Sequence, residues 1–343
     1  MEMSVRALIC ALALGFVVYA CGDGADVVPG GGGPVEGDGD GDGDGDIDVE
    51  PEMVQDRCLT AACQPVALPE QPKLAFLEDM GEGWQRLMEA DWQLAAGSEG
   101  YRCQTLTIPE DVYIVAFNPI SPTGTHHATF GISSEANEPD QVVKCGVGAG
   151  GERRLHGSGA GSEMIEMREG VAMPLRKGEQ VLMNLHLFNP SEATISGRSG
   201  MWVMTIPADQ VEHEAEAVLA GPLTLTIPPG RSVQTGGCTI RSDVTLYGVG
   251  PHLHQLGVHV RVTADTAGST VEVYEGDYDF LEQRFYHVDP LALKAGDRVN
   301  VECMYDNDTA RTVSWGDSSL DEMCFASMGI YPAGGYGGIP CFD

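Results

Sequence analysis

The chain has 343 residues with 51 acidic against 19 basic side chains, a formal net charge of -32. That charge argues against a surface for nucleic acid or for an anionic membrane, because such partners need a basic face. A composition of 43% hydrophobic residues with 45 glycines and 20 prolines excludes collagen, coiled coil and whole-chain disorder, and points to a turn-rich body with few long helices.

Residues 1–20 read as a secretory signal, with Arg6 followed by the apolar run Ala7 to Ala20, too short for a comfortable membrane span. The run ends in Val18-Tyr19-Ala20-Cys21-Gly22, which resembles the lipobox of bacterial lipoproteins. Cys21 is then expected to be the lipidated first residue of an exported chain held to the cell envelope, with the lipid as its only membrane contact. Residues 21–57 are mostly Gly, Asp, Pro and Val and predict a solvated tether, about 35 residues with an end-to-end distance of roughly 30 Å. Asp38, Asp40, Asp42 and Gly43 match the first half of an EF-hand calcium loop. Val49 stands where a bidentate Glu is needed, so a charged spacer is the expectation.

Beyond Cys10 and Cys21, eight cysteines remain: Cys58, Cys63, Cys103, Cys145, Cys238, Cys303, Cys324 and Cys341. An even number, widely spaced and without C-x-x-C, favours structural disulfides in an oxidising compartment over zinc or thiol redox chemistry. The body is longer than one small core serves, so two domains are expected, 58–215 and 216–343. The seam is the Pro- and Gly-punctuated, acidic stretch from Pro207 to Gly230.

Both halves read as β. Strand-length apolar segments occur at 181–188, 200–206, 223–227, 243–249, 258–262, 271–274 and 298–304. Only Leu74 to Leu94 carries a helical rhythm. The predicted class is therefore all-β, two jelly-roll-like antiparallel β-sandwiches in tandem, stabilised by disulfides.

Five of the nine histidines fall in patterns that metals use: the adjacent pair His126-His127, His186 on a strand, and His252-Leu253-His254. Residues i and i+2 of a strand share a face, so His252 and His254 can converge on one ion. An adjacent pair points to opposite faces of a regular strand. His126 and His127 can therefore share an ion only at a bend or strand end, which Gly124 and Thr125 make credible. Imidazole suits copper, zinc, iron and nickel alike. His156, His213 and His287 have no partner at ligand spacing, and His259 has the wrong parity to join His252 and His254. His213-Glu214 fails the H-E-x-x-H zinc pattern because Ala217 takes the second histidine's place.

With the C-terminal segment Asp321-Glu322-Met323-Cys324, this order of histidines resembles the copper type II, ascorbate-dependent monooxygenases, over most of residues 100–343. The resemblance implies two coppers per chain. One would be an electron-transfer copper on His126, His127 and His186, the other a catalytic, oxygen-activating copper on His252, His254 and Met323. It further implies dioxygen as co-substrate, ascorbate or another one-electron reductant, and hydroxylation of a C–H bond, with the coppers facing each other across a solvent-filled gap. It suggests disulfides Cys103–Cys145, Cys238–Cys341 and Cys303–Cys324, leaving Cys58 and Cys63 to close a local loop. Two imidazoles with a soft thioether favour Cu(I), whereas three imidazoles hold both oxidation states.

The peptide-processing members of that family hold a peptide carboxylate with an Arg and a Tyr at positions that are here Gly250 and Ser327. A glycine-extended peptide is therefore not the expected substrate. The acidic composition favours a small neutral or cationic molecule such as an amine. The competing reading is a copper-binding or copper-buffering lipoprotein of the same fold without turnover.

Overall fold

The computed structural model describes residues 56–61, 63–133, 141–145, 153–159, 161–316, 320–336 and 341–342. The signal, Cys21 and the tether as far as Gln55 lie outside the described residues. At the start of the body, Asp56 is held by Arg102 (Nη1 to Oδ1, 2.6 Å) and Lys144 (Nζ to Oδ2, 2.9 Å). Arg57–Cys58 then adds a short strand to Ser98–Thr107. The described residues thus begin beside the first sheet, just ahead of the expected boundary at residue 58.

Every regular element among the described residues is a strand, apart from one 3-10 turn at Ala208–Gln210. In the first half, one sheet runs in the order Arg57–Cys58, Ser98–Thr107, Gln180–Asn189, Thr125–Ile132, Arg153–Gly159, with Val142–Cys145 also pairing Ser98–Thr107. A second, seven-stranded sheet is centred on Val112–Ile120, Ile195–Thr205 and Trp84–Leu94. Both feed one buried cluster: Met183 and Leu185 from the first sheet meet Met88, Trp92, Ile114 and Met201 from the second. This is two sheets face to face, each strand turning alternate side chains inward.

The chain leaves the second sheet at His213–Glu214 and enters a nine-stranded sheet at Glu216–Gly221. Val260 and Val262 come from near one end of that strand path and Leu246 and Leu293 from the other, yet all four share one buried cluster. The sheet therefore curls over on itself to enclose its core, as a sandwich does when strands pass from one layer to the other. The cysteines pair as Cys58–Cys63, Cys103–Cys145, Cys238–Cys341 and Cys303–Cys324.

Two expectations from the sequence are corrected. Leu74 to Leu94 is not helical: it forms strands Glu78–Gly81 and Trp84–Leu94. Met88, Ala90, Trp92 and Leu94 recur every second residue and are all buried, a two-residue period hidden under apolar neighbours at helical spacing. The turn between the strands puts Gly81, Glu82 and Gly83 at φ of 89°, 55° and 86°, which a right-handed helix cannot accommodate. The strand expected over 223–227 shrinks to Thr226–Ile227, because Leu223 is exposed and buries nothing.

Candidate metal centres and the cavity beside them

His126 and His127 open the strand Thr125–Ile132. The neighbouring strand pairs His186 with His127 and then Leu187 with Thr125, so His126 is the extra residue of a β-bulge. A bulge re-aims one side chain, which is how two adjacent residues come to face the same side. The Nδ1 atoms of His126 and His127 lie 3.0 Å apart. One ring nitrogen from each of His126, His127 and His186 falls within 4.8 Å of the others.

Hydrogen-bond partners fix which nitrogen each ring presents. His126 Nε2 lies 3.1 Å from the Phe280 carbonyl, and a carbonyl only accepts, so Nε2 carries the hydrogen and Nδ1 offers its lone pair. His186 Nε2 faces the buried Glu99 carboxylate at 3.4 Å, while its Nδ1 is buried with no partner. An unpartnered buried acceptor costs free energy unless something fills it. Tyr101 stacks on His186 with ring centroids 4.4 Å apart and fixes its plane.

His252 lies on Val244–Leu253, and His254 follows the strand end. The adjacent strand pairs Phe325 with His252, Cys324 with Leu253 and Ser327 with Gly250. Parity then puts Gly250, His252, His254, Met323, Phe325 and Ser327 on one face, all of them lining a cavity, while Leu253, Cys324 and Ala326 point into the core. His252 donates through Nδ1 to Gln283 Oε1 (2.8 Å), and His254 through Nδ1 to the Asp321 carbonyl (3.0 Å). Both acceptors lack hydrogens, so each ring presents Nε2. Glu322 accepts the backbone N–H groups of His254 (2.9 Å) and Leu256 (2.6 Å), tying the Met323 turn to the His-x-His strand. Burial pushes the Glu322 carboxyl up to about 7 even against those hydrogen bonds.

The two donor sets are not separated by a gap. The His127 and His252 rings meet edge to face with centroids 5.5 Å apart. Gln283 packs between the sets: its oxygen receives the His252 Nδ1 hydrogen, and its amide nitrogen lies 3.4 Å from the Phe280 carbonyl that also accepts from His126. The physical reason is the segment around 280–285, which packs onto the histidine face of the first sheet. It can do so because residue 159 is glycine: a Cβ there would lie 2.7 Å from Gln283 Cβ and 2.9 Å from the His126 carbonyl. The solvent-filled gap that the resemblance implied is replaced by one contiguous cluster.

Beside it lies a cavity of about 390 Å³, lined mainly by apolar surface including Leu219, Phe285, Trp315, Phe325 and Phe342. His252, His254 and Met323 all reach its wall, but of the first set only His127 does.

These donors fit copper. Burial, reinforced by the neighbouring imidazoles, holds the His126 and His127 rings far below the usual histidine range, and burial lowers His252 to about 3. All three are thus neutral near pH 7, the form a metal requires. The pairing of imidazoles with a thioether is copper chemistry rather than calcium or magnesium chemistry.

Sequence reasoning missed the supporting groups Glu99, Gln283, Phe280 and Glu322. Of these only Glu322 had a readable signal, its place beside Met323. The histidines left aside do not join the site. His259 pairs with Asp277 at 2.9 Å, His156 stacks on Phe117 at 4.8 Å, His213 on Tyr331 at 5.6 Å, and His287 lies edge-on to Phe285 at 6.3 Å. Residues 214–336, which carry His252, His254 and Met323, match the family model described as copper type II ascorbate-dependent monooxygenase, C-terminal domain.

Proposed function

We propose that the protein is a copper-dependent monooxygenase that hydroxylates a C–H bond of a small organic substrate, using two coppers per chain, dioxygen, and ascorbate or another one-electron reductant. The observation that carries this reading is the asymmetry of the donor sets around one cavity: His252, His254 and Met323 open onto it, while His126 and His186 lie behind His127. Bound copper would supply one-electron redox and dioxygen chemistry at these donors. The chain's own part is to hold the donors. Glu99, the Phe280 carbonyl, Gln283 and the Asp321 carbonyl each fix a ring tautomer, and the apolar wall excludes water from the reacting face.

His126, His127 and His186 are assigned as the electron-transfer ligands, and His252, His254 and Met323 as the catalytic ones. Residues 58–215 carry the first set and 216–343 the second. Export with lipidation at Cys21 completes the proposal and places the body outside the cytoplasm on its acidic tether; mass spectrometry of the mature N-terminus of wild type and Cys21→Ser tests it.

The decisive experiment is copper per chain by elemental analysis after reconstitution and desalting, followed by ascorbate-dependent, substrate-stimulated oxygen uptake. Two equivalents with uptake support the enzyme. Two equivalents without uptake from any substrate class would leave a copper-binding lipoprotein, and one or none would dismantle the dicopper reading.

A further inference from the structure

In a chain with 51 acidic residues, no Asp or Glu among the described residues lines the cavity beside His252 and Met323, and two arginines do. Arg284 is already neutralised, since its Nη2 donates to Glu282 at 2.9 Å. Arg154 is different. It is half-buried on the strand Arg153–Gly159, and no described carboxylate pairs with it. Its neighbour Arg153 takes Glu179 (2.7 Å) and leaves Arg154 alone facing the cavity. Burial lowers the Arg154 guanidinium from its usual range. A second polar group comes from the same strand: Ser158 also lines the cavity, and its hydroxyl is buried without a partner among the described residues.

A partly desolvated cation with no described counter-charge is costly, and a ligand that brings an anion recovers that cost as affinity. The remaining wall is mainly apolar surface, so the ligand's body is apolar. We propose that the cavity takes a small organic acid, an apolar body ending in a carboxylate, with the carboxylate held by Arg154 and Ser158 and the body laid along Phe325 and Phe342 toward the His252, His254 and Met323 face. This rests on the monooxygenase reading for its role as substrate. It points away from the neutral or cationic preference that net charge suggests, because the local field of the cavity is set by the charges lining it. It uses neither Gly250 nor Ser327, the cross-strand pair that replaces the peptide-binding Arg and Tyr.

The test is binding to the full chain, stripped of copper by a chelator so that no carboxylate binds metal, with three isosteric probes: 3-phenylpropionate, its amide, and 3-phenylpropylamine. The acid is expected to bind at least about tenfold tighter than the other two, the ratio for a charge-assisted contact. Arg154→Gln should erase that preference and Arg154→Lys keep part of it. Gly157→Asp gives a second route that leaves Arg154 in place. A Cβ at Gly157 meets nothing nearer than Arg154 Nη1 at 4.0 Å, so the new carboxylate can neutralise the guanidinium and should also erase the preference. Equal binding of the three probes, a preference that survives Arg154→Gln, or displacement of the acid by ascorbate at comparable affinity would overturn the proposal, the last by assigning the anion site to the reductant. Copper content and oxygen uptake on the same preparations keep the two readings apart: acid binding without uptake breaks the enzyme, and uptake driven equally by amines breaks the organic-acid assignment.

Discussion

The two donor sets are built by opposite means. In the first, three imidazoles come from neighbouring strands of one sheet, and a bulge is needed to bring His126 beside His127. In the second, ordinary strand parity aligns His252 and His254, and the cross-strand neighbour supplies Met323. In the first set, His126 and His186 present Nδ1 because the Phe280 carbonyl and Glu99 occupy their Nε2 atoms. The second presents Nε2 because Gln283 and the Asp321 carbonyl occupy Nδ1. Nδ1 ligation brings a metal close to the ring's own backbone and into the sheet, whereas Nε2 ligation pushes it outward into the cavity. The difference explains how one chain can place an inward-facing donor set and a cavity-facing donor set only one ring contact apart.

The sharpest way to break this comparison is Met323→Ala. It is expected to abolish ascorbate-dependent turnover while copper stays at His126, His127 and His186, giving about one equivalent by elemental analysis; retained turnover would show that the outward set is not where chemistry occurs. Next in size are the orienting carboxylates. Glu99→Ala should weaken copper at the first set by about 10- to 100-fold and leave the second alone, and Glu322→Ala should do the reverse, as competition against a calibrated copper chelator will show. Loss at both sets from either change would mean that the cluster binds metal as one unit.

A smaller effect is expected from Gly159→Ala. The added Cβ forces Gln283 away from the first sheet, at a cost of about 1–3 kcal/mol in unfolding experiments, and slows turnover without changing copper content. Unchanged turnover would remove the need for contact between the sets. Of comparable size, but without effect at neutral pH, is a pH effect outside both sets. Burial lowers His156 to about 4. Below pH 6.5 the unfolded chain protonates this residue before the folded one does, so stability falls as pH drops from 6.5 toward 4. The loss from this group is up to about 3 kcal/mol and is absent above pH 6.5. His156→Phe, which keeps the stack on Phe117, should flatten that part of the profile in copper-loaded and copper-free protein alike, measured by urea unfolding at pH 7 and pH 4.5.

Much of the second set was legible because a strand has a strict period of two. His252-Leu253-His254 is a geometric statement in itself, and the alternation continues unbroken from Gly250. The first set was legible only as a composition of histidines. Whether His126 and His127 share a face depends on a bulge, which is settled by how the neighbouring strand pairs across it. The helical reading of Leu74 to Leu94 failed for a related reason, since a run rich in apolar residues satisfies both periods until the partners on either side select one.

The sequence by itself determined the all-β class, the candidate donors and the overall acidity, because strand periodicity, residue chemistry and charge are local or additive properties. Only the tertiary structure decided that the donor sets touch, which nitrogen His126, His186, His252 and His254 offer, and that in a chain of net charge -32 the described wall of the cavity around Arg154 is largely apolar and holds no carboxylate. Those facts depend on which backbone carbonyls, carboxylates and aromatic rings arrive from strands a hundred or more residues away, as Phe280 and Gln283 do against His126. Long-range packing sets hydrogen-bond partners and local fields, and no sum over the sequence contains them.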